Sequence, residues 1–322
     1  VLGLLLILGV GNVFIANKTT YNVQEGIAQL QESGRYAIQR IGKSAHGAGY
    51  FGCMPPDIVK PKVIAILSGS KPEGALSDIT DETAIFGLNN VTSGNAFSAT
   101  VGTDVLTLRG TGDGGISLTG TETAKDDDIV VAAGRTVFYE SDLVIITDCA
   151  ASNLFRTTDN GTPLVVDVNC VTDSVVCNSE GELSNPFGED ALLLKPYIHS
   201  FFVKDTGRDN AAGGSISALY MQDINGNVWE YIEGVSDLQV LYGVDVQNKD
   251  NAADRYMDAS EVTSAAEWSN VVSIKLSLLV DSVEDSLQKA SDYTFMGTSH
   301  TPTDKRIRQE FSGFFSLRNR TL

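Results

Sequence analysis

Apolar residues dominate the start of the chain, where the first sixteen residues, VLGLLLILGVGNVFIA, contain Asn12 as their one polar side chain. A membrane-spanning helix needs roughly 20 apolar residues, so this run is short of a full span. No initiator Met and no basic segment precede Val1. We therefore expect residues upstream of Val1 that were lost by truncation or by processing.

Apolar residues then recur at steps of three or four, the period of an amphipathic helix. No Pro interrupts them, so the pattern predicts one helix from Val1 to about Ala45, roughly 65 Å long at ~1.5 Å per residue, ended by Gly47 and Gly49. Residues 1–20 are predicted to be a stem for the membrane or for packing between helices, through Leu4, Leu5, Leu6, Ile7, Leu8, Val10, Val13, Phe14 and Ile15. Residues 21–47 are predicted to pack on a folded head through Val23, Ile27, Leu30, Ala37 or Ile38, Ile41 and Ala45.

After Cys53 the pattern changes to the alternation of β-strands. Asn225-Gly226, between two β-rich runs, predicts a hairpin. The strands predicted from the alternation are 62–67, 104–109, 143–147, 238–245, 271–281 and 310–318. In 271–281 the alternation predicts one buried face and one mostly hydrated face, and the C-terminal part is expected to form an antiparallel sheet of about five strands.

These elements together predict an α+β fold, shaped like a lollipop, in which the long N-terminal helix packs on a C-terminal antiparallel sheet. A β- and loop-rich region at 48–214 would carry the disulfides, and the sheet would occupy 215–322. Residues 68–100 and 110–128 are expected to be long loops, and 247–268 a loop with a short helix.

The charge of the chain argues against direct binding of nucleic acid. Its 41 acidic and 23 basic residues give a formal charge of −18, which repels phosphates and disfavours anionic lipid headgroups. The four cysteines are even in number and include no C-x-x-C pair, which favours two disulfides over a zinc site. Disulfides in turn indicate an oxidising compartment.

Two features of the sequence suggest dinucleotide binding or catalysis but have simpler explanations. GTGDGG at 110–115 fits G-x-G-x-x-G, but ISLTGTE follows it instead of a helix, so we interpret it as a loop. The three histidines are isolated in the sequence and no G-x-S-x-G elbow is present, so we expect structural roles for His46, His199 and His300.

The acidic runs at 126–128 and 245–258 do not match an EF-hand loop. We expect solvated loops and no cofactor, with calcium in another kind of loop left open. A basic cluster near the C-terminus is expected to pair with acidic neighbours; it consists of Lys305, Arg306, Arg308, Arg318 and Arg320.

The chain also resembles the PilW-type minor pilins of the type IV pilus. The resemblance rests on blocks in family order, which are GLLLILGVGNVF, LQESGRYAIQRI, HGAGYFGC, DVLTLRG, DCAASNLFR, IEGVSDLQVLYGVD, WSNVVSIKLSLLV and RIRQEFSGFFSLRNR. Residues 68–100 and 171–215 contribute little to it. The prepilin signal, with its processing site and nearby acidic residue, is expected just upstream of Val1.

The resemblance implies a structural protein without catalytic activity, held in the inner membrane with a periplasmic head before assembly. After assembly the protein would lie in the extracellular filament, at or near its tip, where it helps to prime assembly. The implied partners are other minor pilins and the major pilin, through the N-terminal helices, with a possible tip adhesin. Processing by a prepilin peptidase is implied as well.

Four cysteines allow three connectivities. The short separation of Cys170 and Cys177 favours a local loop, which leaves Cys53 to pair with Cys149. Other functions stay open at this point. They are a type II secretion pseudopilin, a membrane-tethered adhesin or binding module, and a tethered hydrolase, for which the sequence shows no catalytic constellation.

Overall fold

The structure is a computed structural model. It describes residues 2–53, 61–67, 76, 84–112, 115–120, 124–125, 129–131, 138–139, 141–157, 165–166, 178–247 and 249–320. The side chains of residues 2, 4–8, 165–166 and 320 lie outside this description.

The described elements follow one another along the chain in an order that begins with the long helix. The helical elements are α1 (Leu2–Gly47), α2 (Ala259–Ala265), and the 3-10 helices η1 (Trp268–Asn270) and η2 (Arg318–Arg320). The strands of the first half are β1 (Lys62–Val63), β2 (Ile85–Leu88), β3 (Val105–Thr111), β4 (Ile116–Ser117), β5 (Ile129–Val130), β6 (Leu143–Thr147), β7 (Ser152–Arg156) and β8 (Val165–Val166). Those of the second half are β9 (Leu192–Leu194), β10 (Pro196–Asp209), β11 (Ser215–Gln222), β12 (Val228–Glu233), β13 (Val235–Val244), β14 (Arg255–Met257), β15 (Val271–Asp281), β16 (Tyr293–Phe295), β17 (Thr298–His300) and β18 (Arg308–Ser316).

Three larger sheets form the body. Sheet 1 has the order β12-β11-β10-β3-β2, sheet 2 the order β14-β13-β15-β18, and sheet 3 the order β1-β7-β6-β9-β4. The pairs β16-β17 and β5-β8 are separate. Among the described pairings, that of β1 with β7 is parallel and the others are antiparallel.

Helix α1 shares one hydrophobic core with sheets 1 and 2. Leu30 and Ile41 of the helix are buried together with Leu106 of sheet 1 and with Ile274 and Leu278 of sheet 2. The helix contacts β15 and β18 of sheet 2 as well as β3 and β12 of sheet 1. It is thus packed against two sheets at once, and burial of apolar side chains at this three-way junction stabilises the arrangement.

Gly234 connects the two sheets, since it lies between the last residue of β12 and the first residue of β13. Its φ of +86° is one that L side chains rarely adopt, and a Cβ there would lie 2.6 Å from the carbonyl oxygen of Asp281. The Gly234 N–H donates to Ser217 of sheet 1, and its carbonyl accepts from the Asp281 N–H of sheet 2. Glycine therefore lets the chain turn sharply from one sheet into the next.

Sheet 3 has a core of its own, in which Ile64, Ile146 and Phe155 are buried. A disulfide joins Cys53, six residues after the end of α1, to Cys149 in the turn between β6 and β7. The disulfide therefore ties the segment that leaves the helix to sheet 3.

The predicted fold class is wrong. Of the described residues, 40% lie in strands and 21% in helices, and several sheets form the body, so the protein is mainly β and is not one long helix on one sheet. The expected C-terminal sheet of about five strands is also wrong. Its hairpin, β11-β12, pairs through β10 with β3 and belongs to sheet 1, which leaves four strands in sheet 2.

Most of the individual elements agree with the sequence pattern. The helix, the hairpin around Asn225-Gly226 and the short helix within 247–268 are present, and β6 and β15 have the predicted bounds. The expected hydrated face of β15 is different, because Ser273 and Ser277 are buried and Lys275 alone on this strand is exposed. Tyr256 lies against Ser273, with 3.5 Å between the two side-chain oxygens.

Candidate interaction surface of the N-terminal helix

Two glycines on α1 let aromatic rings of β18 approach the helix backbone. A Cβ on Gly34 would lie 2.4 Å from the ring of Phe311, and a Cβ on Gly42 would lie 2.3 Å from the ring of Phe315. These distances are too short for any other residue without movement of the ring. The spacing of eight residues places both glycines on one face of the helix, which fixes that face against sheet 2.

The C-terminal end of α1 is held by side chains from distant parts of the chain. The Tyr197 hydroxyl donates to the Ser44 carbonyl at 2.7 Å, and the Asn319 Nδ2 donates to the carbonyls of His46 and Ala48, both at 3.2 Å. These bonds satisfy carbonyls that have no partner within a helix. The end of the helix is therefore fixed to β10 and to the C-terminal segment.

The residues predicted to pack α1 on the body have different environments. Leu30 and Ile41 are buried, Val23 and Ile38 are half-buried, and Ile27 is 39% exposed. Ala37 and Ala45 are fully buried. The buried face thus follows the small and aliphatic residues from Leu30 to Ala45, and Ile27 lies beside it.

The N-terminal part of α1 exposes apolar side chains to solvent. Val10, Val13, Phe14 and Ile15 are between 61% and 69% exposed. The other predicted stem residues, Leu4, Leu5, Leu6, Ile7 and Leu8, belong to α1, but their side chains lie outside the described residues. Within the described part of the chain, no helix combines the length and the hydropathy that crossing a membrane requires.

The histidines occupy three different environments. His199 of β10 is half-buried beside α1, where its Nδ1 lies 2.9 Å from Ser44 Oγ and its ring stacks on Tyr197. Burial lowers the pKa of His199 to about 4, with a further contribution from Arg40, so the ring is neutral at ordinary pH. His46 and His300 are exposed and contact the rings of Phe315 and Tyr293.

The Ser44–His199 contact contains two members of a hydrolytic triad, but its geometry is that of a packing contact. The serine belongs to the packed helix, and a histidine pKa near 4 makes the ring a weak base. Among the described contacts, no carboxylate is hydrogen-bonded to the His199 ring. The expectation that the chain catalyses no reaction stays a prediction.

The acidic segment 245–258 uses its carboxylates to hold its own backbone. Asp245 accepts from the N–H groups of Lys249 and Asn251, and Asp254 accepts from those of Val246 and Gln247, at 2.8–3.0 Å. Over the residues that the structure describes, no group of three or more His, Cys, Asp or Glu side chains is arranged for a metal. Residues 126–128, the other acidic run, lie outside the described residues, and the calcium question stays open.

The basic cluster near the C-terminus is divided between two places. Arg308 binds Asp304 through two hydrogen bonds of 2.6 and 2.8 Å and lies 3.2 Å from Asp281. Arg306 is buried nearby, whereas Lys305 and Arg318 are exposed. The expected pairing with acidic neighbours is therefore observed for Arg308. The Arg320 side chain lies outside the described residues.

The predicted disulfide between Cys53 and Cys149 is present, and Cys170 and Cys177 lie outside the described residues. The GTGDGG motif begins with the last two residues of β3, and strand β4, not a helix, directly follows it. Asp113 and Gly114 of the motif lie outside the described residues. Its dinucleotide interpretation therefore has no structural support in the described residues.

Sequence comparison identifies one related family. The model of the family described as Type IV Pilus-assembly protein W matches residues 201–319, from β10 to η2. This match confirms the resemblance to PilW-type proteins over a segment that supplies strands to both sheets against which α1 packs, and it indicates a role related to type IV pilus assembly. No curated protein and no solved structure showed a significant match to the chain.

Proposed function

We propose that the protein is a minor pilin of the type IV pilus, which helps to prime pilus assembly and is incorporated at or near the filament tip. Before assembly, its N-terminal helix would associate with the inner membrane and its body would lie in the periplasm. Its role would be structural, without a catalytic step and without a cofactor.

The observation that carries this proposal is the exposed apolar part of α1 in a chain related to pilus-assembly proteins. Phe14 is 69% exposed and Val10 is 68% exposed, so these side chains need an apolar environment from outside this chain. Lipid before assembly and the helices of other pilins after assembly would both supply it. Gly9 and Gly11, with open space around them, would permit close contact between helices.

The partners that follow are other minor pilins and the major pilin, contacted through their own N-terminal helices. A tip adhesin is a further proposed partner, and a prepilin peptidase would process the precursor. The Cys53–Cys149 disulfide supports exposure of the body to an oxidising compartment such as the periplasm.

Deletion of the gene, followed by imaging of surface filaments, tests this proposal. We expect loss of filaments, with recovery by the full chain and no recovery by a form that lacks residues 1–20. Phe14→Asp, which places a charge on the exposed apolar part, should also fail to restore filaments. Gln24→Asp adds the same charge on an exposed, polar position of α1 and is the matched control.

Immunoblots must show equal amounts of each variant. Normal filaments in the deletion strain, or recovery by the form without residues 1–20, would contradict a role in priming. Loss of protein secretion with normal filaments would instead favour a pseudopilin of a type II secretion system.

A further inference from the structure

A continuous exposed surface runs along the C-terminal half of α1 and combines aromatic with basic side chains. One groove, with a volume of about 730 Å³, lies between the helix and the Phe315–Arg318 region. A second, of about 460 Å³, lies between the helix and β12. Tyr36 lines both grooves, so they meet at this residue. We call this surface the aromatic–basic strip and define it by Tyr36, Arg40, Lys43, Trp229, Tyr231 and Arg318.

The strip is basic, although the chain as a whole is acidic. Residues 33–47 of α1 contain Arg35, Arg40 and Lys43 and no Asp or Glu, although acidic residues outnumber basic ones 41 to 23 overall. No acidic residue lines the larger groove among the described residues. In the smaller groove, the Glu230 carboxylate is held by Arg208 at 2.5 and 2.8 Å, which offsets its charge.

The helix dipole explains only part of this arrangement. Cations are favourable in the last turn of a helix, where His46 lies, and Lys43 directly precedes that turn. It does not account for Tyr36 and Trp229, which are 48% and 46% exposed although both could bury large apolar areas. Exposed Trp and Tyr next to Arg are typical of the centres of protein interfaces.

Arg40 is oriented in advance for such a contact. Its guanidinium lies 5.1 Å from the centre of the Tyr231 ring and donates to the Tyr231 hydroxyl at 2.6 Å. A side chain that is already ordered loses less entropy when a partner binds. The strip therefore offers an ordered cation beside the aromatic ring of Tyr231.

We propose that the aromatic–basic strip is a docking surface for a protein partner with an acidic surface. Carboxylates of the partner would face Arg40, Lys43 and Arg318, and apolar side chains would cover Tyr36 and Trp229. Among partners that carry negative charge, the chain's own charge of −18 most strongly disfavours those with a dense or large negative charge, which are nucleic acid and a second copy of this chain. The proposal does not depend on the exposed apolar part of α1, which lies at the other end of the helix.

Site-specific crosslinking in cells tests this proposal with the full chain. The photoreactive amino acid p-benzoylphenylalanine replaces Tyr36 in one strain, Trp229 in a second, and Tyr139, which is 60% exposed elsewhere, in a control strain. We expect Tyr36 and Trp229 to crosslink to the same protein, which mass spectrometry would identify as acidic. The Tyr139 position should give no such product.

Charge reversal then distinguishes a specific contact from chance proximity. Lys43→Glu should abolish the Tyr36 crosslink, whereas Lys289→Glu, at another exposed position, should leave it unchanged. With the purified partner and the full chain in detergent, Lys43→Glu combined with Arg318→Glu should weaken binding about tenfold, and added salt should reduce the difference.

The proposal is overturned by a crosslink that nuclease removes or by a product that contains only lipid. It is also overturned if the crosslinked species is a basic protein or a second copy of this chain. Crosslinking at Tyr36 no stronger than at Tyr139 would overturn it too. Because filament formation is scored separately, any of these results leaves the proposed role in pilus assembly to its own test.

Discussion

The carboxylate of Asp104 accepts a hydrogen bond of 2.8 Å from the backbone N–H of Val240, and this bond joins sheet 1 to sheet 2. The other carboxylate oxygen accepts from the Asn90 N–H at 2.8 Å, and the Asp104 N–H donates to the Leu238 carbonyl. Asp104 is itself buried. One acidic residue thus connects the start of β3, the loop after β2, and β13.

This connection predicts that stability depends on pH. Burial raises the pKa of Asp104 to about 6, although the N–H groups of Asn90 and Val240 act in the opposite direction. A carboxyl whose pKa is raised on folding stabilises the fold when it is protonated, and this contribution is lost as pH rises from about 4 to about 6. We expect the melting temperature to be higher at about pH 5 than at about pH 7.5.

Asp104→Asn should reduce this difference in melting temperature, because the amide does not titrate. Asp205→Asn is the control, since hydrogen bonds from Ser215 and Gly207 lower the pKa of Asp205 and place its titration below that range. An unchanged pH dependence in Asp104→Asn would contradict the assignment.

The contact of Gly42 with Phe315 predicts a loss of stability in Gly42→Ala. The new Cβ would meet the ring at 2.3 Å, so the ring or the helix must move, at a cost of about 1–3 kcal/mol in the free energy of unfolding. This cost exceeds the gain of about 1 kcal/mol that Ala normally brings to a helix. Gly11→Ala, with nothing within 4 Å, should not destabilise the body. Chemical denaturation in detergent measures both, and equal stability of the two variants would contradict the prediction.

The disulfide predicts sensitivity to reducing agents. Cys53 and Cys149 are separated by 96 residues, so the link restricts a long segment of the unfolded chain. Replacement of both by Ser should lower the free energy of unfolding by about 2–5 kcal/mol. Dithiothreitol should lower the melting temperature of the unmodified chain by more than that of the double variant. An equal response of the two proteins would show that this link contributes little.

Local elements were predictable from the sequence, whereas their assembly into sheets was not. The three- and four-residue period and the absence of Pro indicate α1, and Asn225-Gly226 indicates the hairpin. Neither pattern encodes which strand lies on the far side of β11. That partner is β10, whose other edge pairs with β3 near residue 105. This pairing between strands far apart in sequence places the hairpin in sheet 1.

The interaction surfaces of α1 were likewise only partly predictable from the sequence. Exposure of the apolar part of α1 was expected from its composition, but the aromatic–basic strip brings together residues 36–43, 229–231 and 318, which are far apart in sequence. The burial of Asp104 had no signal either, because the pattern made it the first residue of the predicted strand 104–109 and indicated nothing about its environment. A serine-containing strand such as β15 was expected to have a hydrated face, and the neighbouring Tyr256 covers part of it.

Two arginines, each bound by two carboxylates, allow a comparison between a buried and an exposed ion network. Arg308 contacts Asp281 and Asp304, and the side chains of Arg308 and Asp281 are 11% and 5% exposed. Arg208 contacts Glu230 and Glu233, and its side chain is 48% exposed. Removal of a partner from a buried pair leaves a charge without compensation, whereas water replaces a partner at the surface.

Arg308→Ala should therefore lower the free energy of unfolding by about 3–5 kcal/mol, and Arg208→Ala should lower it by much less. Burial raises the pKa of Asp281 to about 6, and Arg308 opposes that rise. Without Arg308 the pKa should rise further, so the loss of stability should be larger at about pH 7.5 than at about pH 5. Denaturation of both variants at the two pH values measures this difference. Equal losses for Arg308→Ala at the two values would show that the Asp281 charge is not what the arginine stabilises.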